Sequence, residues 1–233
     1  ISPLPEKEKF QVVFFPSWEI GLSAARELMQ QRVALSMIRL SNALETTSLL
    51  YMGAGSDSSG VVKLEQTLAE KGIGEGKVMM TFGVTGSVRH CDAAHELAIE
   101  HCTAVGGVMD ESGLGENWAH GRFRAPYLRD PLGAEGYIVD TMETAVDWSK
   151  VSQATDAIEE ALRSALADEN EQVYAYSHLS HLYRQGSSIY TTYLLRLGES
   201  YEQGMQRWKK LKKAGAGAIV AQGGTISHHH GVG

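Results

Sequence analysis

The alternation of hydrophobic and polar positions divides this chain into short strands and amphipathic helices. Six runs rich in β-branched and aromatic residues predict strands, at 10–15, 35–41, 77–83, 136–142, 172–182 and 188–197. The last two runs alternate strictly and are separated by a turn near Gln185 and Gly186. They therefore predict an antiparallel hairpin with one buried face.

Apolar residues at helical spacing predict six helices, at 19–30, 42–52, 61–70, 87–105, 148–168 and 200–222. Ser17 and Ser200 stand at N-cap positions. Cys91 and Cys102 fall on the apolar stripe of the fourth helix, which indicates packing rather than metal binding. Strands and helices in this order predict an α+β fold, with helices on one face of a mainly antiparallel sheet and ferredoxin-like units.

Composition narrows the function classes. A net charge of −7 and a pI near 5.7 argue against a nucleic-acid partner, which requires a basic patch. The one dense basic run, 209–213, indicates a solvated helix face or a peripheral contact with an anionic lipid surface. Two cysteines are typical of a reducing compartment, so a cytoplasmic location is expected. No run of about 18 apolar residues is present to predict a membrane span.

The most unusual stretch is 223–233, where His228, His229 and His230 lie between glycine pairs. In an extended chain His228 and His230 would face one way and His229 the other. A purification tag, a metal site and a solvated loop are alternative explanations. Consecutive histidines seldom chelate one ion, so no metal is expected, and a ligand-facing acid–base site is favoured.

Three further residues are candidates with ordinary alternatives. Arg39 lies in a predicted strand, either at its edge or as a buried clamp for an anion. Arg129 lies between two prolines, in a segment typical of binding loops, although a surface salt bridge with Asp130 would also explain it. Tyr190 is either a general acid/base or a half-buried strand tyrosine.

The stretch 223–233 (Gly-Gly-Thr-Ile-Ser-His-His-His-Gly-Val-Gly) resembles the signature of the alkyldihydroxyacetonephosphate synthases, a branch of the FAD-linked oxidases with a vanillyl-alcohol-oxidase-type flavin domain. Similar stretches follow the same order along the chain, at 36–40, 127–130, 142–148 and 188–193. The resemblance implies that residues 1–233 form the substrate-binding, or cap, domain. The FAD-binding domain of the same parent chain would precede them.

What the resemblance implies for activity is an exchange of the acyl group of acyl-dihydroxyacetone phosphate for a fatty alcohol, giving an ether lipid precursor. Oxidation of a hydroxy acid or alcohol is the alternative within the same family. The substrate would be a phosphate-bearing or lipid small molecule, and the cofactor FAD, acting without net redox change. A homodimer is expected, with a peroxisomal location in a eukaryote.

Individual residues are implied by the same resemblance. Tyr190 matches the catalytic tyrosine, and His228, His229 and His230 match the catalytic cluster beside the flavin, where His229 and His230 would contact the cofactor. Arg129 matches the arginine that binds the substrate phosphate. Arg39 matches a second arginine needed for activity.

The chain departs from the family pattern at three positions on the second strand of the hairpin. Ser188 stands where the synthases carry cysteine, and Thr191 and Thr192 make the strand more polar. Because a tunnel for a lipid chain should be apolar, these residues weaken the expectation of a long-chain substrate.

Overall fold

The computed structural model describes residues 4–123 and 125–231, without the side chains of 125 and 126, as two compact units. The first unit comprises Ile1–Arg122 with Ser180–Arg184, and the second comprises Phe123–Leu179 with Gln185–Gly233. Val232 and Gly233, the end of the histidine signature, lie outside the described residues. None of the helices described is both long and apolar enough to cross a bilayer.

The first unit has the element order of a ferredoxin-like fold with an insertion. Its elements are β1 (Lys7–Phe15), α1 (Trp18–Gln30), β2 (Met37–Ser41), α2 (Ala43–Ala54), α3 (Ser59–Glu70), β3 (Val78–Gly86), α4 (Val88–Ala104), β4 (Val108–Met109) and α5 (Leu114–Gly121). The sheet order is β4-β1-β3-β2, and every pairing in it is antiparallel. The predicted α+β class is therefore confirmed, with β3 in the interior of the sheet.

Short polar side chains cap α1 and α2, as the sequence predicts for α1. The Ser17 hydroxyl accepts a hydrogen bond from Ile20 N at 3.4 Å, and the Asn42 side chain accepts one from Glu45 N at 2.9 Å. Cys91 and Cys102 are both buried on the inner stripe of α4, so their packing role is confirmed. Burial raises the pKa of the Cys102 thiol to about 12, which makes it a poor nucleophile.

A second helical layer was not predicted. α2 and α3 pack on the face of the first sheet that carries Val12 and Phe14, whereas alternate residues of β1 face the other way. The connection between the predicted helices 42–52 and 61–70 is also shorter than expected, because α2 continues to Ala54 and α3 already begins at Ser59.

The second unit contains the predicted hairpin and a third strand beside it. Its elements are α6 (Arg129–Ala134), β5 (Tyr137–Asp147), α7 (Val151–Ser164), β6 (Tyr174–Leu179), β7 (Gly186–Arg196) and α8 (Tyr201–Ala221). The order is β6-β7-β5, again antiparallel. One face packs against α7 and α8 through a buried cluster that includes Ile158, Leu162, Tyr193, Leu195 and Leu211.

β5 is longer than the sequence predicted. The expected strand ends at Met142, but the observed strand continues to Asp147 and pairs with β7 along its whole length. Glu143 and Ala145 are residue types depleted in strands, and pairing with β7 overrides that preference. The five additional residues matter because they carry part of the site described below.

One prediction concerns the pH dependence of the first unit. His95 on α4 is buried, its Nδ1 lies 3.3 Å from Lys9 Nζ, and burial, reinforced by Lys9, lowers the pKa of His95. The unfolded chain therefore binds a proton first as the pH falls below about 6.5. We expect the urea midpoint of the first unit to decrease between about pH 7 and pH 5.

The decrease should be smaller in His95→Gln, which cannot take up the proton, and should be weakened in Lys9→Met, which removes a neighbouring positive charge. Urea titrations at several pH values measure both effects. An unchanged slope in His95→Gln would show that another group causes the pH dependence.

Candidate functional site

Three polar side chains form a row across the sheet of the second unit. Tyr190 on β7 lies directly opposite Glu143 on β5 and opposite His178 on β6. Residues opposite each other in an antiparallel sheet project from the same face. This face is the one that does not pack against α7 and α8, because the alternate residues Tyr193 and Leu195 belong to the helix-covered core. The site is therefore built on three neighbouring strands.

Tyr190 lies between two imidazoles. The His178 ring stacks on it with centroids 4.8 Å apart and an interplanar angle of 20°. The His230 ring meets it edge to face at 5.4 Å and 79°. The ring is half-buried, and within residues 4–123 and 125–231 its hydroxyl makes no hydrogen bond. A phenol positioned in this way can donate to, or accept from, a bound molecule.

The histidine segment reaches this face because the chain after α8 docks on β5. Thr144 Oγ1 donates to Thr225 O at 2.7 Å, and Thr225 N donates to Ala145 O at 3.4 Å. A side chain at Gly224 could not be accommodated, since a Cβ there would lie 2.5 Å from Thr144 Oγ1. Gly224 is therefore explained by close approach to the strand.

The three histidines do not form the extended run that the sequence suggested. They lie on a bend, closed by a 2.7 Å hydrogen bond from Ser227 Oγ to Gly231 O, and His229 has a φ of 61°. A left-handed backbone conformation is uncommon for a residue with a side chain. The His229 ring stacks on His228, with centroids 4.1 Å apart. The bend, rather than strand alternation, brings His228 and His230 to the same partner.

That partner is Glu143, a residue the sequence analysis did not select. Its Oε1 lies 3.1 Å from His228 Nδ1, and its Oε2 lies 3.1 Å from His230 Nε2. The Glu143 side chain is only 1% exposed, while His230 is 43% exposed. Glu143 was missed because the predicted strand ended one residue earlier. A charged residue in register with Tyr190 was the available signal.

Arg129 is not in contact with this cluster. Its guanidinium lies 3.9 Å from Asp140 Oδ1 and is 61% exposed. Asp140 and Glu143 project from opposite faces of β5. On the helix-covered face Asp140 accepts hydrogen bonds from Tyr193 (3.0 Å), Trp208 (2.7 Å) and Lys212 (2.8 Å). A contact between Arg129 and Tyr190 is thus not among the observed contacts, and the role of Arg129 stays a prediction.

The environment of Asp140 sets its ionisation. Burial alone would raise the pKa of this carboxyl, but the hydrogen bonds from Lys212 and Trp208 outweigh burial and lower it. Burial, reinforced by the same carboxylate, raises the pKa of the Tyr193 hydroxyl well above its usual value. Tyr193 is therefore a structural hydrogen-bond donor, in contrast to Tyr190 on the opposite face.

Arg39 lies on β2 in the first unit, in register with Thr81 of β3. Its Nη2 donates to Glu45 Oε1 at 2.7 Å, and Glu45 is almost completely buried. Its Nε is buried and has no hydrogen-bond partner in the described part of the chain. The ion pair with Glu45 shows that the arginine is held inside the unit. Whether it binds substrate stays a prediction.

The structure corrects the interpretation of Thr191. Its hydroxyl lies 2.8 Å from that of Ser177 on the helix-covered face, and Ser177 also hydrogen-bonds the buried Glu159 of α7. Thr191 therefore belongs to a buried polar network and does not make the Tyr190 face more polar. Ser188 and Thr192 share the face of Tyr190, so only these two bear on the polarity of a substrate there.

Comparison with known proteins identifies the class of this chain. The family described as FAD linked oxidases, C-terminal domain, matches residues 4–233. The chain belongs to this family. The family name implies that FAD is present in the parent enzyme.

Individual relatives narrow the class. The chain is 24% identical, over 242 residues, to alkyldihydroxyacetonephosphate synthase of Trypanosoma brucei brucei, covering 100% of this chain and 38% of that protein. A solved structure of an alkyldihydroxyacetonephosphate synthase superposes with a TM-score of 0.83 at 21% identity, over 96% of this chain and 41% of that one. A substrate-bound p-cresol methylhydroxylase gives 0.62 at 13%, over 96% and 45%. The chain thus spans about 40% of the synthases it resembles, and its fold is theirs.

The hydrogen bonds of Asp140 generate a stability prediction. Asp140→Asn removes the charge that Lys212 faces and leaves one good acceptor for Tyr193 and Trp208, so the free energy of unfolding should decrease by about 1–3 kcal/mol. Because the pKa of Asp140 is lowered by folding, this contribution is complete at neutral pH and is lost as the pH falls below about 4.

Urea unfolding at pH 7 and pH 3 measures the difference. Asp130→Asn is the matched control, since Asp130 is an exposed residue of α6, and a change below about 0.5 kcal/mol is expected there. Equal losses in both variants would show that the hydrogen bonds of Asp140 do not stabilise the unit.

Proposed function

We propose that this chain is the substrate-binding domain of an FAD-dependent alkyl transferase, which exchanges the acyl group of acyl-dihydroxyacetone phosphate for a fatty alcohol. One observation carries the proposal. Tyr190 and His230 lie edge to face, and in the described part of the chain neither the Tyr190 hydroxyl nor His230 Nδ1 has a hydrogen-bond partner. A proton donor and a proton acceptor therefore stand side by side on a half-open surface.

The exchange requires both groups. The bond between C1 of the substrate and the ester oxygen breaks, the fatty acid leaves as a carboxylate, and a new bond forms between C1 and the alcohol oxygen. The alcohol proton must be accepted, and His230 Nδ1 is suited to accept it and pass it to solvent. The Tyr190 hydroxyl donates a hydrogen bond to the departing carboxylate. Electrons are neither gained nor lost overall, so protons are all that these side chains must move.

The name of the synthases that resemble this chain says that they make a phosphate ester, and Arg129 is the proposed phosphate ligand. Its guanidinium is exposed and is held only by a long ion pair, so its planar donors can turn to a bidentate anion. Arg39 is the second proposed substrate-binding arginine, through its buried Nε without a partner in the described chain. Both roles rest on the sequence resemblance together with these local environments.

FAD would meet this domain at the histidine bend. His229 and His230 are exposed, and glycine follows them with a φ of 71°, so the backbone there can approach a flat ring system closely. The imidazole nitrogens of His229 and His230 can form hydrogen bonds with the polar edge of an isoalloxazine. When bound, the flavin supplies the electrophilic and redox-active ring. The remaining cofactor contacts would come from an FAD-binding domain of the parent chain.

We further propose that the parent protein is a homodimer and that it makes peripheral contact with a lipid surface.

Oxidation of a hydroxy acid or alcohol is the second candidate. The family is named for FAD-linked oxidases, and the polar Ser188 and Thr192 flank Tyr190 on its own face. A histidine that accepts the proton of a substrate hydroxyl would serve hydride removal equally well. The two candidates differ in whether the flavin is reduced.

An exchange assay separates them. We expect the full-length parent chain, supplied with acyl-dihydroxyacetone phosphate and a labelled fatty alcohol, to form the labelled alkyl product and one equivalent of fatty acid without lasting flavin bleaching. Absorbance and product analysis measure both. Anaerobic bleaching by a hydroxy acid or alcohol, with no exchange product, would support the oxidase and contradict the transferase.

Tyr190→Phe tests the assignment of the hydroxyl. Because that hydroxyl makes no hydrogen bond in the described chain, the unfolding midpoint should not change, while kcat should fall by about 10–100-fold. Tyr137→Phe, six residues before Glu143 on the same face of β5, is the control and should retain activity. Full activity in Tyr190→Phe would remove the tyrosine from the proton path.

A further inference from the structure

We infer that Glu143 is a positioning residue that fixes the tautomers of His228 and His230, and so makes Nδ1 the proton-accepting nitrogen of His230. The inference rests on the proposed function for its kinetic consequence. The tautomers themselves can be measured whether or not that function is correct. In the proposed reaction Glu143 does not contact the reacting atoms; it acts through the imidazoles of His228 and His230.

The geometry of the carboxylate determines which nitrogen carries a proton. An ionised carboxylate only accepts hydrogen bonds, and each Glu143 oxygen faces a different ring nitrogen at 3.1 Å. His228 must therefore carry a proton on Nδ1, and His230 must carry one on Nε2. In the neutral His230 ring the remaining lone pair is on Nδ1, the nitrogen that has no partner within the described residues.

The burial of Glu143 is the physical reason that both imidazoles direct an N–H group at its carboxylate. The Glu143 side chain is 1% exposed, and a buried carboxylate without donors is strongly unfavourable. Glu143 lies in the continuous ladder between β5 and β7, and the histidine bend is closed by Ser227 and Gly231. The carboxylate and the two imidazoles are thus all held by the backbone, so flipping either ring would remove one donor from the carboxylate.

Glu143→Gln tests the inference because an amide has only one accepting atom. The amide oxygen can accept from one imidazole, but the amide nitrogen can only donate to the other, which must then change its tautomer. In the full-length parent chain labelled with ¹⁵N-histidine, at about pH 8.5, two units above the ordinary imidazole pKa of about 6.5, we expect Nδ1–H on His228 and Nε2–H on His230. The variant should show a changed tautomer at one of the two.

His228→Asn and His230→Asn assign the signals. Glu143→Asp keeps an acceptor-only carboxylate, so it should preserve both tautomers even where packing suffers. Glu159→Gln is the matched control, because Glu159 is also buried but lies on α7 with Arg163 as its partner. It should leave both imidazoles unchanged. Unchanged tautomers in a folded Glu143→Gln protein, or a wild-type His230 protonated on Nδ1, would overturn the inference.

Kinetics provide a separate measurement. Glu143→Gln should lower kcat by about 10–100-fold, part of what a positioned acid–base group contributes, with KM changed less than about twofold. Glu143→Asp should recover part of the rate. If the parent chain lacks exchange activity, the proposed function fails while the tautomer result still decides the role of Glu143. If the tautomers change but kcat does not, His230 is not the proton acceptor.

Discussion

A buried carboxylate that must be met by donors connects the C-terminal segment to the sheet of the second unit. Glu143 projects from β5 and is excluded from water, so its oxygens require hydrogen-bond donors from the protein. His228 and His230 both reach these oxygens, each at 3.1 Å, because the chain bends between Ser227 and Gly231. The docking of Thr225 on β5 places the segment at the strand, and the contacts with Glu143 orient the two imidazoles beside Tyr190.

The two units also explain why the segment lies where it does. In the first unit β4 pairs with β1 and completes the four-strand order β4-β1-β3-β2. The second unit repeats three of these strands as β6-β7-β5, and the edge beside β5 receives Thr225 instead of a fourth strand. A regular strand would have satisfied the edge with backbone alone. Replacing it with a glycine-flanked bend places three imidazoles at the same edge.

Structural features that depend on the local residue pattern were predicted correctly from the sequence. Features that depend on which strands pair were not. Strict alternation predicted the β6–β7 hairpin, and Ser17 predicted a helix start. Glu143 was not predicted to lie in a strand, because glutamate is depleted in strands and it is pairing with β7 that carries β5 past Met142. The expectation that Thr191 adds polarity beside Tyr190 was wrong. Its hydroxyl contacts Ser177 on the helix-covered face, and Ser177 belongs to another strand, so this contact depends on strand pairing.

The position of Arg129 constrains how a phosphate could be recognised. Asp140 already receives three short hydrogen bonds, so the guanidinium at 3.9 Å adds little to its stabilisation. An exposed ion pair of this kind is worth about 0–1 kcal/mol, whereas a bidentate phosphate contact is a strong charge-assisted interaction. Release of Arg129 from Asp140 would therefore cost little. The side chain is held loosely beside β5, which is compatible with the phosphate-binding role proposed for Arg129.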